Sequence, residues 1–128
     1  MRDVETPVSS CPFCCMSEQR TILVENELAV AFFDLYPVSP GHTLIIPKRH
    51  VANWFSCTRA EQVAILDLVA ALAPAADGCN LGVNIGAAGG QTVGHVHMHL
   101  IPRHTGDVED SRGGVRWVVP RHAAYWDL

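Results

Sequence analysis

The chain has no apolar run near the roughly 20 residues that a membrane-crossing helix needs. Its first residues, Met1-Arg2-Asp3-Val4-Glu5, form no hydrophobic signal region. A membrane partner is therefore not expected, and the cytoplasm is the default location. Basic excess is missing too: the formal net charge is −4, which argues against broad electrostatic binding to nucleic acid. An anionic ligand would have to be held by local donors. There is no internal repeat, no low-complexity tract and no second CxxC. With 128 residues, 48% of them hydrophobic and 17% charged, the chain suits one soluble domain with a real core. The expected division is a leader over 1–10 and a single domain over 11–128, with a C-terminal arm from about residue 104.

What the sequence does hold is concentrated in His95-Val96-His97-Met98-His99-Leu100-Ile101. Imidazoles alternate with apolar side chains at the period of a half-buried strand, which puts His95, His97 and His99 on one face. Packing alone does not call for three such histidines after Gly-Gly-Gln-Thr-Val-Gly. Nor does one metal ion explain all three. Same-face neighbours on a strand lie about 6.6 Å apart, so the outer pair is roughly 13 Å apart, against metal–nitrogen bonds of about 2 Å. A divided labour follows: one ligand and two catalytic groups.

Five cysteines are an odd number, and Cys11-Pro12-Phe13-Cys14 adjoins Cys15. In a chain without a secretory signal this pattern points to metal or redox use before a disulfide framework. Two thiolates at CxxC spacing make half of a tetrahedral zinc site. The other half must come from elsewhere, and His50, after Pro47-Lys48-Arg49, is a candidate. Lys48 and Arg49 themselves read as solvated surface charges.

Two strands are expected at Thr21–Val24 and Leu28–Asp34, joined by a tight turn at Glu25-Asn26-Glu27, and a third at His42–Ile46 after the Pro- and Gly-bearing loop 35–41. Thr58-Arg59-Ala60-Glu61 is a capping box opening a helix over 58 to about 73. Val63, Leu66, Val69, Ala70 and Ala73 make its apolar face, widened by Ile65, Leu68 and Leu72. A strand over Cys79–Ile85 then leads into Gly86-Ala87-Ala88-Gly89-Gly90, whose backbone can approach a ligand closely. Val115, Trp117 and Val119 alternate with Arg116 and Val118 as in an edge strand or an arm laid on a partner. His104 and His122 read as surface residues, and Arg103 as either a phosphate contact or a solvated charge.

Gln91-Thr92-Val93-Gly94-His95-Val96-His97-Met98-His99-Leu100-Ile101 resembles the His-φ-His-φ-His-φ-φ motif of the histidine triad superfamily, φ being hydrophobic. Asp34 with Gly41-His42-Thr43-Leu44-Ile45-Ile46-Pro47-Lys48-Arg49-His50 resembles the family's upstream block, so the likeness spans about residues 11–103. It implies an α+β fold: an antiparallel sheet of about five strands with one long helix on it, and usually a homodimer. It implies a bound nucleotide, with the base near Phe32, Phe33 and Leu35, ribose hydroxyls on Asp34, and the phosphate on Asn84, Gln91 and Thr92. His97 corresponds to the nucleophile, with His99 and His42 as phosphate-side imidazoles. Members with an N-terminal CxxC hold a structural zinc, and the matching positions here are Cys11, Cys14, His50 and His95; Cys15 ranks below Cys14.

The Gln91-Thr92 lead-in and the ending His99-Leu100-Ile101-Pro102-Arg103 are more similar to dinucleoside polyphosphate hydrolases than to purine nucleoside phosphoramidases. The expected reaction is hydrolysis of a dinucleoside polyphosphate or an AMP conjugate. The alternatives are a phosphoramidase and a non-enzymatic nucleotide sensor. Arg116 and Trp117 are candidates to complete a pocket, including one on a partner subunit.

Overall fold

The computed structural model describes residues 8, 10–14 and 20–127. Apart from Val8 and Ser10, the expected leader lies outside the described residues, as does Cys15. The elements are β1 (Ile22–Glu25), β2 (Ala29–Phe33), β3 (Thr43–Pro47), α1 (Arg59–Ala71), β4 (Gly78–Val83) and β5 (Met98–Arg103), joined by short 3-10 turns. The strands form one antiparallel sheet in the order β1-β2-β3-β5-β4. This is the expected α+β arrangement of about five strands and one long helix.

The β1–β2 turn is made by Asn26. Its side-chain oxygen accepts from the amides of Leu28 and Ala29, and its side-chain nitrogen donates to the Ala64 carbonyl. One residue thus closes the hairpin and ties it to α1, a double use of the Asx turn. On the helix side of the sheet, Ala29, Ala31, Ile45, Met98 and Leu100 pack against Ala64, Ile65 and Leu68. Small residues on β2 let the helix approach closely. On the opposite side, Val30, Phe32, Leu44 and Ile46 pack against Cys11 and Phe13 of the CxxC segment.

The capping box is present in full: Thr58 accepts from the Glu61 amide, and the Glu61 carboxylate accepts from the Thr58 amide. The buried stripe, however, is Glu61, Ala64, Ile65 and Leu68, not the face expected from Val63, Leu66 and Ala70, of which Val63 and Leu66 are about half exposed. A helix apolar nearly all round does not declare its inner face, and counting Glu61 as a polar cap hid the correct one. Glu61 is buried because Arg49 meets it with two parallel bonds of 2.8 Å. Arg49 is therefore a structural partner and not a solvated charge.

The Arg49 guanidinium is the main reason the Glu61 carboxyl sits below its usual range, burial opposing it. The stabilisation is present above the unfolded carboxylate value of about 4.3 and is lost as pH falls through the lower folded value. Glu61→Ala removes both bonds of the carboxylate to Arg49 and the cap on the Thr58 amide. The expected cost is about 2–4 kcal/mol by urea denaturation, the half-burial of Arg49 holding it below a fully buried pair. A second change, Arg49→Met, should recover part of it.

The histidine run departs from the expected continuous strand. The ladder starts at Met98, with Ile45 opposite Met98 and Leu44 opposite His99. Only His99 lies within it. Pro47 ends the ladder because it has no amide to give, and its carbonyl takes the His95 ring instead, at 2.9 Å from Nε2. The chain before Met98 is held by Val96 donating to the Val51 carbonyl. The alternation still sorts the side chains: Val96 packs with Val51 and Cys57, while His95 and His97 both meet Phe13.

The C-terminal arm is neither an edge strand nor an extended segment. Residues Gly114–Val118, Pro120–His122 and Tyr125–Asp127 are 3-10 turns. Arg116 staples them by donating to the His122 and Ala123 carbonyls and lying 4.6 Å over the Tyr125 ring. Gly113 is required here: its φ is +93°, and a Cβ would lie 2.9 Å from the Trp126 ring.

Candidate functional site

The sheet face opposite α1 carries two histidine-containing clusters that meet at His97. In the first, Cys11, Cys14, His50 and His95 bring their ligand atoms within 4.8 Å of one another. His95 Nδ1 lies 3.5 Å from Cys11 Sγ and 3.6 Å from Cys14 Sγ, and His50 Nδ1 lies 3.1 Å from Cys14 Sγ. Sulfur and nitrogen on one tetrahedral zinc, with bonds of about 2.3 and 2.0 Å, lie about 3.5 Å apart. The donor set fits a closed Cys₂His₂ centre.

Its outer shell fits as well. His95 Nε2 faces a carbonyl, which can only accept, so the ring proton sits there and the Nδ1 lone pair turns to the cluster. Burial, first, pushes His95 down to about 4, leaving the neutral form that a metal requires. The Phe13 amide donates to Cys11 Sγ at 3.4 Å.

The second cluster is Asp34, His42 and His99, also within 4.8 Å. Here the hydrogen bonds argue against a metal. The Val38 amide donates to His42 Nδ1 at 3.1 Å, so neutral His42 carries its proton on Nε2 and has no lone pair left for an ion. That Nε2 lies 2.9 Å from His99 Nδ1 and 3.5 Å from Asp34 Oδ2. His42 therefore donates to His99, and His99 in turn carries its own proton on Nε2. Burial is the largest cause lowering both histidines, with Asp34 opposing it, and brings His99 to about 4.

The relay consequently ends in a neutral N–H donor at physiological pH. A titration of the His99 ring signals by NMR should give a midpoint near pH 4. A midpoint at the ordinary value of about 6.5 would show that burial does not govern this ring. The same shift makes stability rise with pH between those two values, because the unfolded chain binds the extra proton there.

His97 lies between the clusters and is 8% exposed. Its Nδ1 is 2.9 Å from the His95 carbonyl, which fixes the proton on Nδ1 and leaves a lone pair on Nε2. Its ring centroid is 5.0 Å from that of His99 and 5.1 Å from that of Phe13. A nucleophilic nitrogen and an N–H donor thus stand side by side.

The other expected site residues are placed less uniformly. Asp34 follows β2 and accepts from the Tyr36 amide. Phe33 and Leu35 are exposed, whereas Phe32 is fully buried against Phe13 and offers no surface. Asn84 and Thr92 are exposed. Gln91 spends its amide on the loop: Oε1 accepts from Gly86, and Nε2 donates to the Ala52 and Val93 carbonyls. The amides of Gly89, Gly90 and Gln91 are also donated within the loop. This glycine-rich turn is a clamp on the approach to the histidines, with the amides of Gly86, Gly89, Gly90 and Gln91 turned inward on itself.

Sequence reasoning missed Phe13, read only as CxxC spacing, and Arg20, whose guanidinium lies 4.8 Å over Phe32 and 5.4 Å over Phe13. A cation over aromatic rings is a recurrent stabilising contact. No period signalled either. Val38 was equally invisible, because it acts through its backbone.

A family model, the HIT domain, matches residues 17–106. The chain belongs to the HIT domain family. It is 41% identical over 108 residues to a HIT-like protein of 16.1 kDa from Mycoplasma pneumoniae, covering 75% of this chain and 73% of that one. A relative from Schizosaccharomyces pombe, named bis(5'-nucleosyl)-tetraphosphatase [asymmetrical], is 33% identical over 96 residues, or 70% of this chain and 53% of that protein. The HIT family thus includes hydrolases of nucleotide compounds. Among solved structures, a Zn-bound histidine triad family protein from Mycobacterium smegmatis aligns with a TM-score of 0.72 and 31% identity, covering 79% of this chain and 80% of that one.

Proposed function

We propose that this HIT protein hydrolyses nucleotide conjugates at the α-phosphorus through a covalent nucleotidyl-histidine intermediate on His97. The observation that carries the reading is the fixed Nε2 lone pair of His97 beside the Nε2–H of His99. His97 Nε2 attacks phosphorus, the bond to the leaving group breaks, and that group departs with the electron pair. Water then attacks the same phosphorus, losing a proton to solvent, and a nucleoside monophosphate leaves as the P–N bond breaks. His99 donates to a non-bridging phosphoryl oxygen, where a prearranged dipole counts most. His42 holds His99 in the donor tautomer. Asp34 takes ribose hydroxyls, Phe33 and Leu35 the base, and Asn84 and Thr92 the phosphate edge.

The tetraphosphatase relative supports a dinucleoside polyphosphate as substrate, and an AMP conjugate would present the same α-phosphorus to His97. Zinc at Cys11, Cys14, His50 and His95 would be structural, since four protein donors leave no open position. A cytoplasmic homodimer completes the proposal. The half-exposed Val63, Leu66 and Leu81 give it an apolar surface to bury, and sedimentation would test it. Among the described residues no helix is long and apolar enough to cross a membrane.

The test offers diadenosine tetraphosphate and an AMP phosphoramidate in water labelled with heavy oxygen. AMP should appear with the label on its phosphate, and rapid acid quenching should leave a protein species heavier by one AMP. Tight AMP binding with no turnover of either compound would instead make the protein a nucleotide sensor.

A further inference from the structure

Arg20 lies just before β1, at the edge of the sheet face that carries the histidines. Ile22 stands opposite Phe32 where β1 and β2 pair, and both belong to the cluster on the side away from α1. Carried two residues outward, that register sets Arg20 across from Asp34 on the same face. The guanidinium leans from there over the aromatic pair, 4.8 Å from the centre of the Phe32 ring and 5.4 Å from that of Phe13. Its donors are not met. Nε and Nη1 are enclosed and have no hydrogen-bond partner among the described residues. The ring faces attract the charge but replace neither a carbonyl nor a carboxylate, so the enclosed donors keep much of their desolvation cost. A ligand that brings acceptors can improve on this arrangement.

In the hydrolase reading, phosphorus stands at His97 and His99 and the ribose at Asp34. Asp34 Oδ2 is 3.5 Å from His42 Nε2, so the sugar sits against the relay and its base extends outward from it. Phe33 and Leu35 are exposed there, and Arg20 flanks Asp34 on the β1 side. Its long side chain hangs from a residue outside the ladder. Raising it would uncover the ring of Phe32, which is otherwise fully buried. The planar fork of a guanidinium matches two acceptors on one edge. A 6-oxopurine has O6 and N7 so placed, whereas adenine keeps N7 but turns the hydrogens of an amino group to where O6 would be.

We infer that Arg20 determines base specificity, turning on binding from the aromatic pair to O6 and N7 of a 6-oxopurine. The inference rests on the nucleotide hydrolase reading above and changes only its base, favouring guanine and hypoxanthine nucleotides over adenine ones.

The experiment is calorimetric titration of the wild-type protein and Arg20→Met with GMP, IMP and AMP. Methionine keeps a long side chain over the rings. The wild-type protein should bind GMP and IMP at least about tenfold more tightly than AMP. In the variant the three should fall within about threefold of one another, the loss falling on GMP and IMP. Arg20→Lys keeps a charge over the rings without the planar fork, and should lose the preference too with its melting temperature unchanged. It serves in place of Arg20→Met should circular dichroism show that variant unfolded. Equal binding of the three by the wild-type protein, or a preference that survives both substitutions, reduces Arg20 to a cover for the rings and leaves the hydrolase reading standing. A preference for GMP that IMP does not share puts recognition on the 2-amino group, which a guanidinium cannot accept from, and overturns the inference as well. Failure of all three to bind overturns the nucleotide reading, and this inference with it.

Discussion

His97→Ala should reduce turnover of every nucleotide conjugate by at least about 10⁴-fold, the scale on which removing a nucleophile acts in covalent catalysis. The variant should form no AMP adduct and still bind AMP. The reason lies in how His97 is held: its Nδ1 donates to the His95 carbonyl, so no other nitrogen in the cluster stands in the same place with a free lone pair. His95 presents its lone pair to the cysteines, and the His99 Nδ1 lone pair is taken by His42. Substituting a neighbour is not expected to be as severe. His99→Ala removes one prearranged donor, for which about 10²–10³-fold is the usual loss, and should leave the adduct detectable because attack still proceeds.

His97→Ala also leaves the His95 carbonyl without its partner and a gap beside Phe13, so stability should fall by about 1–3 kcal/mol. Rates must therefore be compared well below the unfolding transition. Turnover of His97→Ala within tenfold of wild type would remove the covalent route altogether.

Much of this site was readable because its signals are local. The alternation of His95, His97 and His99 sorts side chains by parity, and parity survives even where the ladder has not begun, which is why the imidazole face was correct while the strand's start was not. The start is set by Pro47, on a neighbouring strand, and a missing amide two strands of sequence away has no trace in the histidine run itself. The same limit explains Glu61. Its capping role is a matter of three-residue spacing, whereas its bond to Arg49 depends on α1 lying over the end of β3. Arg49 looked solvated because nothing near it in sequence is acidic. The arm's 3-10 turns were hidden for a related reason: Val115, Trp117 and Val119 alternate as in a strand, but Gly113 and Gly114 with positive φ and the stapling by Arg116 bend the chain before any ladder can form. The ligand quartet was reached through family likeness, and the tautomers that give each histidine its task came only from hydrogen-bond partners.

Stripping metal from the protein with a strong chelator should lower its melting temperature by on the order of 15 °C. A ligand present at about a thousandfold its dissociation constant stabilises by about 4 kcal/mol, and for a domain of this length each kcal/mol shifts the midpoint by about 4 °C. Unlike a zinc finger, the chain keeps a sheet–helix core without the centre, so it should lose stability and not its fold. The loss should reach the chemistry nonetheless. Without a shared ion, the sulfur and nitrogen atoms of Cys11, Cys14, His50 and His95 meet through weak sulfur–nitrogen contacts of 3.1–3.6 Å. Cys11 and Cys14 flank Phe13, whose ring backs His97. His95 supplies the carbonyl that orients His97. Loosening the quartet therefore blurs the position of the Nε2 lone pair, and kcat should fall about tenfold or more at temperatures where circular dichroism still reports a folded protein. Cys14→Ser should reproduce both effects. Acid should mimic them as well, because protonated thiols release the ion. Freshly purified protein with no bound zinc, whose melting temperature does not move on chelation, would reduce the Cys₂His₂ cluster to a set of packed side chains and leave Phe13 alone to hold the nucleophile.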